Sequence, residues 1–251
     1  MRPHKSRYWL TSQDRREAPE QYQADVEKIC GTYRDAPQLA LQGTHVMSTD
    51  EKTGMQALER LHETKPVRPG LVERVEFEYI RHGTLSLIAN FEVATGRVLS
   101  PSIGPTRSEV DFAAHIDKTI DADPGATWIF IADQLDTHRC ASLVQLVARR
   151  CGIEEDLGVK GKHGIRQSKK TRRKFLEDTS HRIRFVYTPR HCSWLNQVEI
   201  WFSILARRLL KRSSFTSTED LRRRTLAFIE YFTNVLAKPF RWTYSGRPLQ
   251  A

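Results

Sequence analysis

The chain of 251 residues is 39% hydrophobic, enough apolar content to close a core in one large domain or in a domain with appendages. No run of about 18 apolar residues occurs, and the start Met1-Arg2-Pro3-His4-Lys5 leads into polar residues, so the sequence offers neither a helical membrane span nor a signal peptide and a cytoplasmic location is expected. The net charge of +10 is lopsided: residues 1–138 hold 16 basic and 21 acidic side chains, residues 139–251 hold 24 and 9, and residues 160–174 hold eight basic side chains and no acid, a field that suits a polyphosphate partner such as nucleic acid.

In chain order, residues 1–43 read as a polar lead-in with one helix, in which Ala24, Val26, Ile29, Cys30 and Tyr33 fall near helical spacing and Pro37 stops the run. From residue 44 the pattern turns to strands. Thr44 to Asp50 is short, rich in β-formers and ends on an acid; Gly54 then opens a loop reaching Pro69-Gly70. Extended segments follow at Val75–Arg81 and Thr84–Val93, with tight turns expected at Arg81-His82-Gly83-Thr84 and Ala94-Thr95-Gly96-Arg97, giving three consecutive antiparallel strands. Ser108 to Ile120 carries Val110, Phe112, Ala113, Ile116 and Ile120 on one helical face behind a serine cap. Thr127 to Ala132 is nearly all apolar and must be buried on both faces, which marks a parallel strand, and a helix at about Arg139–Cys151 follows it. Arg182–Tyr187 reads as the last strand. Helices at about Leu195–Leu210 and Thr218–Leu236 close the chain, the second opening on a variant capping box at Thr218.

Three antiparallel strands followed by parallel ones, with acids at the ends of the first and fourth and a third acid on a late helix, is the order of a ribonuclease H-like α/β fold: a mixed five-stranded sheet with flanking helices. The acids are Asp50, Asp133 and Glu199, the last lying in Ser193-Trp194-Leu195-Asn196-Gln197-Val198-Glu199-Ile200-Trp201-Phe202. Phosphodiester chemistry needs groups that hold hard divalent cations, and two Mg²⁺ or Mn²⁺ ions about 4 Å apart activate the attacking oxygen and stabilise the leaving one. Taken singly, Asp50 reads equally as a solvated strand end, Asp133 as a helix cap and Glu199 as an exposed helix position.

The segments Ser48–Arg60, Glu76–Leu85, Ala94–Arg97, Asp133-Gln134-Leu135-Asp136-Thr137-His138 and Pro189–Phe202 resemble the catalytic domain of IS630-type insertion-sequence transposases of the Tc1/mariner superfamily, and the likeness runs from Arg2–Leu10 to Tyr244–Leu249. The resemblance implies a DDE domain at residues 44–251 behind a lead-in remnant at 1–43. It implies that Asp50, Asp133 and Glu199 are the catalytic metal ligands, with His138 and Asn196 as supporting residues. Two Mg²⁺ or Mn²⁺ ions are the implied cofactors, transposon terminal inverted repeats and target DNA the substrates. A homodimer in the synaptic complex and a prokaryotic, nucleoid-associated setting follow from the same analogy.

Gln134 and Asp136 stand where the family carries asparagines, and the 66-residue interval from Asp133 to Glu199 exceeds the spacing usual in the superfamily. A basic insertion at about 155–180 accounts for the excess and offers Lys162, Arg166, Lys169, Lys170, Arg172, Arg173 and Lys174 to DNA; Arg207, Arg208, Lys211 and Arg212 follow Glu199 as further candidate contacts. A helix-turn-helix DNA reader is not evident before residue 44, so a catalytically inactive DNA-binding remnant and a hydrolytic RNase H-like nuclease stand as alternatives. Trp194, Trp201 and Trp242 read as core, and Cys30, Cys140, Cys151 and Cys192 as reduced thiols, with no Cys/His spacing for zinc.

Overall fold

A computed structural model describes residues 12–246; the matched segments at Arg2–Leu10 and beyond Gly246 lie outside the described residues. Five strands form one sheet in the order β3-β2-β1-β4-β5. β1 (Thr44–Arg60) pairs antiparallel with β2 (Tyr79–Glu92), β2 antiparallel with β3 (Val98–Gly104), and β1 parallel with β4 (Thr127–Ala132), which pairs parallel with β5 (Ile183–Tyr187). This is the RNase H-like arrangement expected from the order of elements.

Alternation along the strands sorts side chains to two covered faces. Met47, Ile88, Trp128, Phe130, Phe185 and Tyr187 pack with α3 (Glu109–Ile120), α4 (Ala141–Cys151) and α5 (Lys169–Leu176). On the opposite face Val46, Ile129, Ile131 and Val186 meet α2 (Pro19–Leu41), which follows the single turn α1 (Asp14–Glu17), while Met55, Ala57, Leu87, Ala89 and Phe91 meet α6 (Gln197–Leu205) and α7 (Thr218–Tyr231). The result is a three-layer α/β/α molecule whose thiols are all free. Among the described residues no helix is long and apolar enough to cross a membrane.

Several local expectations give way to longer-range packing. Pro37 does not end α2, which runs on to Leu41. Val26, Ile29, Cys30, Tyr33 and Ala36 form a buried stripe along it, and that burial outweighs the one backbone hydrogen bond a proline removes. Gly54 does not open a loop. It takes φ +66° inside a bulge between Lys52 and Met55, and β1 resumes with Met55 and Ala57 buried beneath α6 and α7. Likewise Arg81–Thr84 is no turn: β2 passes through it, Gly83 lying opposite a second irregularity of β1 at Ala57/Leu58. The chain between β1 and β2 forms a short hairpin arm closed by Lys65–Arg74 and Arg68–Leu71 bridges.

The Ala94–Arg97 turn and the Ser108 cap are present, Ser108 and Asp111 forming a reciprocal capping box. Val110, however, is exposed. The cap of α7 is Ser217, one residue before the expected position. Of the three tryptophans, Trp201 is core, Trp242 packs tilted against Tyr33, and Trp194 is 51% exposed, edge-on to Tyr244.

Candidate active site

The register of the β1–β4 ladder determines where two of the acids meet. Ser48 is paired with Ile131, which brings Asp50 in β1 and Asp133, one residue past the end of β4, to the same end of the parallel strands, and alternation turns Asp50 to the face shared with Val46. Asp50 is only 6% exposed. Burial, and next the Asp133 carboxylate, push it up to about 7 against the opposing pull of His138 and the Glu51 amide. Glu199 enters from above, in the first turn of α6. It is half-buried, raised by burial and by the charge of Asp133, and opposed by Lys52. The charge of Asp133 thus acts on both Asp50 and Glu199 at one end of the parallel strands.

Asn196 fastens this locus from the loop before α6. Its Nδ2 donates to Asp50 Oδ2 at 3.2 Å and to the Thr49 carbonyl at 2.9 Å, and its Oδ1 accepts from Ser48 Oγ. Ser48 Oγ in turn accepts from the Val198 amide at 2.8 Å. The loop is held from the far side by Tyr33 of α2, whose hydroxyl donates to the Leu195 carbonyl at 2.8 Å and accepts from the Gln197 amide at 3.3 Å. The helix of the lead-in thus sets the height of Asn196 and Glu199 over β1.

His138 is fully buried and bridges two carboxylates. Its Nδ1 lies 2.7 Å from Asp133 Oδ1 and its Nε2 3.2 Å from Glu51 Oε2. Burial alone would depress its pKa, but the hydrogen bonds and charges of Asp133 and Glu51 prevail and raise it to about 10, so the ring is an imidazolium at neutral pH. For Asp133 burial pushes upward, while the His138 bond and charge, the Leu135 amide at 2.8 Å and Arg139 hold it below the usual carboxylate range. No sequence motif singles out Glu51. One residue past Asp50 it turns to the opposite face, where Phe112 of α3 also packs on the His138 ring, and its side chain is 2% exposed. The available signal was the alternation itself, which sends an acid beneath a covering helix and so demands a cationic partner there.

Gln134 and Asp136 turn away from the acids. The Gln134 amide donates to the Thr188 carbonyl at 2.9 Å, and exposed Asp136 pairs with Lys169 at 2.7 Å. Of the basic candidates, Arg172 is buried and ties α5 down, donating to the carbonyls of Arg139 at 2.7 Å and Arg166 at 2.9 Å. Arg166 bonds the Gly158 carbonyl, and Arg173 pairs with Glu177. Lys162, Lys170 and Lys174 are exposed, as are Arg207, Arg208, Lys211 and Arg212.

The donor chemistry of the locus suits a hard cation. It offers carboxylate oxygens, those of Asp50 and Glu199 raised by burial and by the charge of Asp133, and oxygens of Asp50 and Glu51 lie within 4.8 Å of one another and of the His138 ring. Across residues 45–222 the sequence matches the family described as DDE superfamily endonuclease. The chain belongs to the DDE superfamily of endonucleases. Within it, the fold is shared with crystal structures of the Mos1 mariner transposase: the paired-end complex with Mn (TM-score 0.50, 11% identity, covering 90% of this chain and 59% of that one), the paired-end complex with the left transposon end (0.50, 11%, 90% and 58%) and the strand transfer complex (0.53, 10%, 92% and 58%). This DDE chain therefore spans just under three fifths of the Mos1 chains it resembles. No protein of curated function matches its sequence.

Proposed function

We propose that this chain is the catalytic domain of an IS630-type transposase, which cuts DNA at the ends of a mobile element and joins the freed 3′-hydroxyls to target DNA. The observation that supports the reading is Asp133, just past the end of β4, within electrostatic reach of both Asp50 of β1 and Glu199 of α6, in a member of the DDE endonuclease family. Asp50, Asp133 and Glu199 are the proposed ligands of two Mg²⁺ or Mn²⁺ ions; one of the Mos1 complexes that shares the fold was solved with Mn. When bound, such ions supply an activated oxygen nucleophile and offset charge on the leaving oxygen.

The protein's own contribution is placement. Asn196 orients Asp50, the His138–Glu51 pair orients and charges Asp133, and the Tyr33 anchor fixes the helix that carries Glu199. Lys52, beside Glu199, supplies positive charge where a scissile phosphate would approach. The element's terminal inverted repeats and target DNA are the proposed substrates, a homodimer the proposed synaptic unit and a prokaryotic nucleoid the proposed setting.

Changing Glu199 to Gln tests the reading in a plasmid-nicking and strand-transfer assay with Mn²⁺. Cleavage should be abolished while DNA retention on a filter is preserved; unchanged cleavage would remove Glu199 from the site and the transposase reading with it.

A further inference from the structure

Two five-residue π-helical turns, Ala206–Leu210 at the end of α6 and Phe232–Leu236 at the end of α7, face the same groove, of about 1020 Å³. Single π-turns interrupt the helical ladder at a cost and recur at functional sites. The groove has a cationic rim formed by Arg207, Arg208, Arg212, Lys238 and Arg241, and no acid lines it. All five are exposed, and none has an ion-pair partner among the described residues. Its floor is apolar and aromatic, and Tyr231 stands 52% exposed at the wall.

We infer that this groove binds a single-stranded segment of DNA, the stretch flanking the scissile phosphate; the inference rests on the DNA-cleaving reading of the acid site. The rim excludes a neutral or cationic ligand, since five like charges without a counter-charge repel one another until a polyanion lies between them. A duplex presents only phosphates to such a rim and has nothing to set against an apolar floor. Single strands combine a charged backbone with unstacked bases, the pairing that cationic grooves with exposed aromatic rings accept.

Continuity with the acids fixes where the segment belongs. Glu199, Ser203 and Arg207 follow at four-residue intervals along α6, Ser203 Oγ donating to the Glu199 carbonyl at 3.1 Å and Arg207 Nε to the Ser203 carbonyl at 3.1 Å. Eight residues of helix span about 12 Å, so Arg207 meets the backbone within a few phosphates of the bond that is cut.

Fluorescence anisotropy on the full chain without metal, so that no cleavage occurs, tests this with a labelled oligothymidine 12-mer and a duplex of equal length over a salt series. The unmodified protein should bind the single strand at least as tightly as the duplex. Changing Arg207, Arg208 and Lys238 together to Gln should weaken that binding and reduce the slope of log K against log salt by about 2. Tyr231→Ala should weaken the single strand by about tenfold and leave the salt slope and duplex binding unchanged. All four side chains are exposed, and an unchanged circular dichroism melt confirms that the variants fold. An unaltered slope in the triple variant, or equal loss on duplex and single strand for Tyr231→Ala, overturns the groove assignment. The acid-site reading is tested separately, because the Glu199→Gln result does not depend on either.

Discussion

His138 Nδ1 stands 2.7 Å from Asp133 Oδ1, a contact made inside the sheet–helix layer with the ring fully buried. An imidazolium held there by Glu51 on its other nitrogen fixes the rotamer of Asp133 and supplies the counter-charge that lets two neighbouring aspartates face one another.

Replacing Glu51 by Gln removes the charge behind the ring and leaves the shape nearly intact. Partners of this kind typically contribute about 10–100-fold to metal affinity, so Mn²⁺ binding measured by titration calorimetry should weaken by that order. Affinity equal to that of the unmodified protein would show that Asp133 needs no such support.

Proton linkage gives a second test. His138 rises from its ordinary 6.5 to about 10, and Asp50 from 3.8 to about 7. A group raised in the folded state stabilises it fully below the unfolded pKa and loses that contribution as pH climbs through the folded value. The metal-free protein should therefore lose stability in two stages, between about pH 4 and 7 through Asp50 and between about pH 6.5 and 10 through His138. Asp133 is held low and works in the opposite direction, losing its contribution only in acid. Calorimetric melts at pH 7 and 9 should show a falling Tm, and His138→Gln should flatten that fall. Mn²⁺ affinity should rise with pH through about 7 as Asp50 gives up its proton.

Asn196 makes its bonds where no water competes, to Asp50, Thr49 and Ser48. Asn196→Ala leaves buried polar groups unpaired, and urea unfolding should show a loss of about 1–3 kcal/mol. A loss below about 0.5 kcal/mol, the range of surface changes, would mean that the network relaxes around the gap.

Gly96 shapes the turn on which the C-terminal segment rests. It has φ +75°, and a Cβ there would lie 2.1 Å from the Lys238 carbonyl oxygen. Gly96→Ala should cost more than about 1 kcal/mol in the same experiment, from strain and from displacement of residues that line the cationic groove.

How far the sequence carried the reading depends on the range of the interactions involved. Thr127–Ala132 announces itself because a strand buried on both faces admits only apolar residues, and the acid that follows it then sits at a strand end. Asp50 is legible for the same reason, at the close of the apolar part of β1. Glu51 is not, because its partner His138 lies 87 residues away and is brought under α3 only by the fold. Gly54 and Gly83 read locally as punctuation, yet both lie within long strands at irregularities of the β1–β2 ladder. Pro37 fails similarly: a composition rule says where a residue prefers to be, and packing of α2's apolar stripe decides otherwise.

Anomalous diffraction from crystals soaked in Mn²⁺ shows directly whether Asp50, Asp133 and Glu199 hold metal together. Two peaks about 4 Å apart are expected, with oxygens of Asp50, Asp133 and Glu199 as their protein ligands and His138 still bridging Asp133 and Glu51. A single peak held by Asp50, Glu51 and His138, with Glu199 uninvolved, would contradict that arrangement.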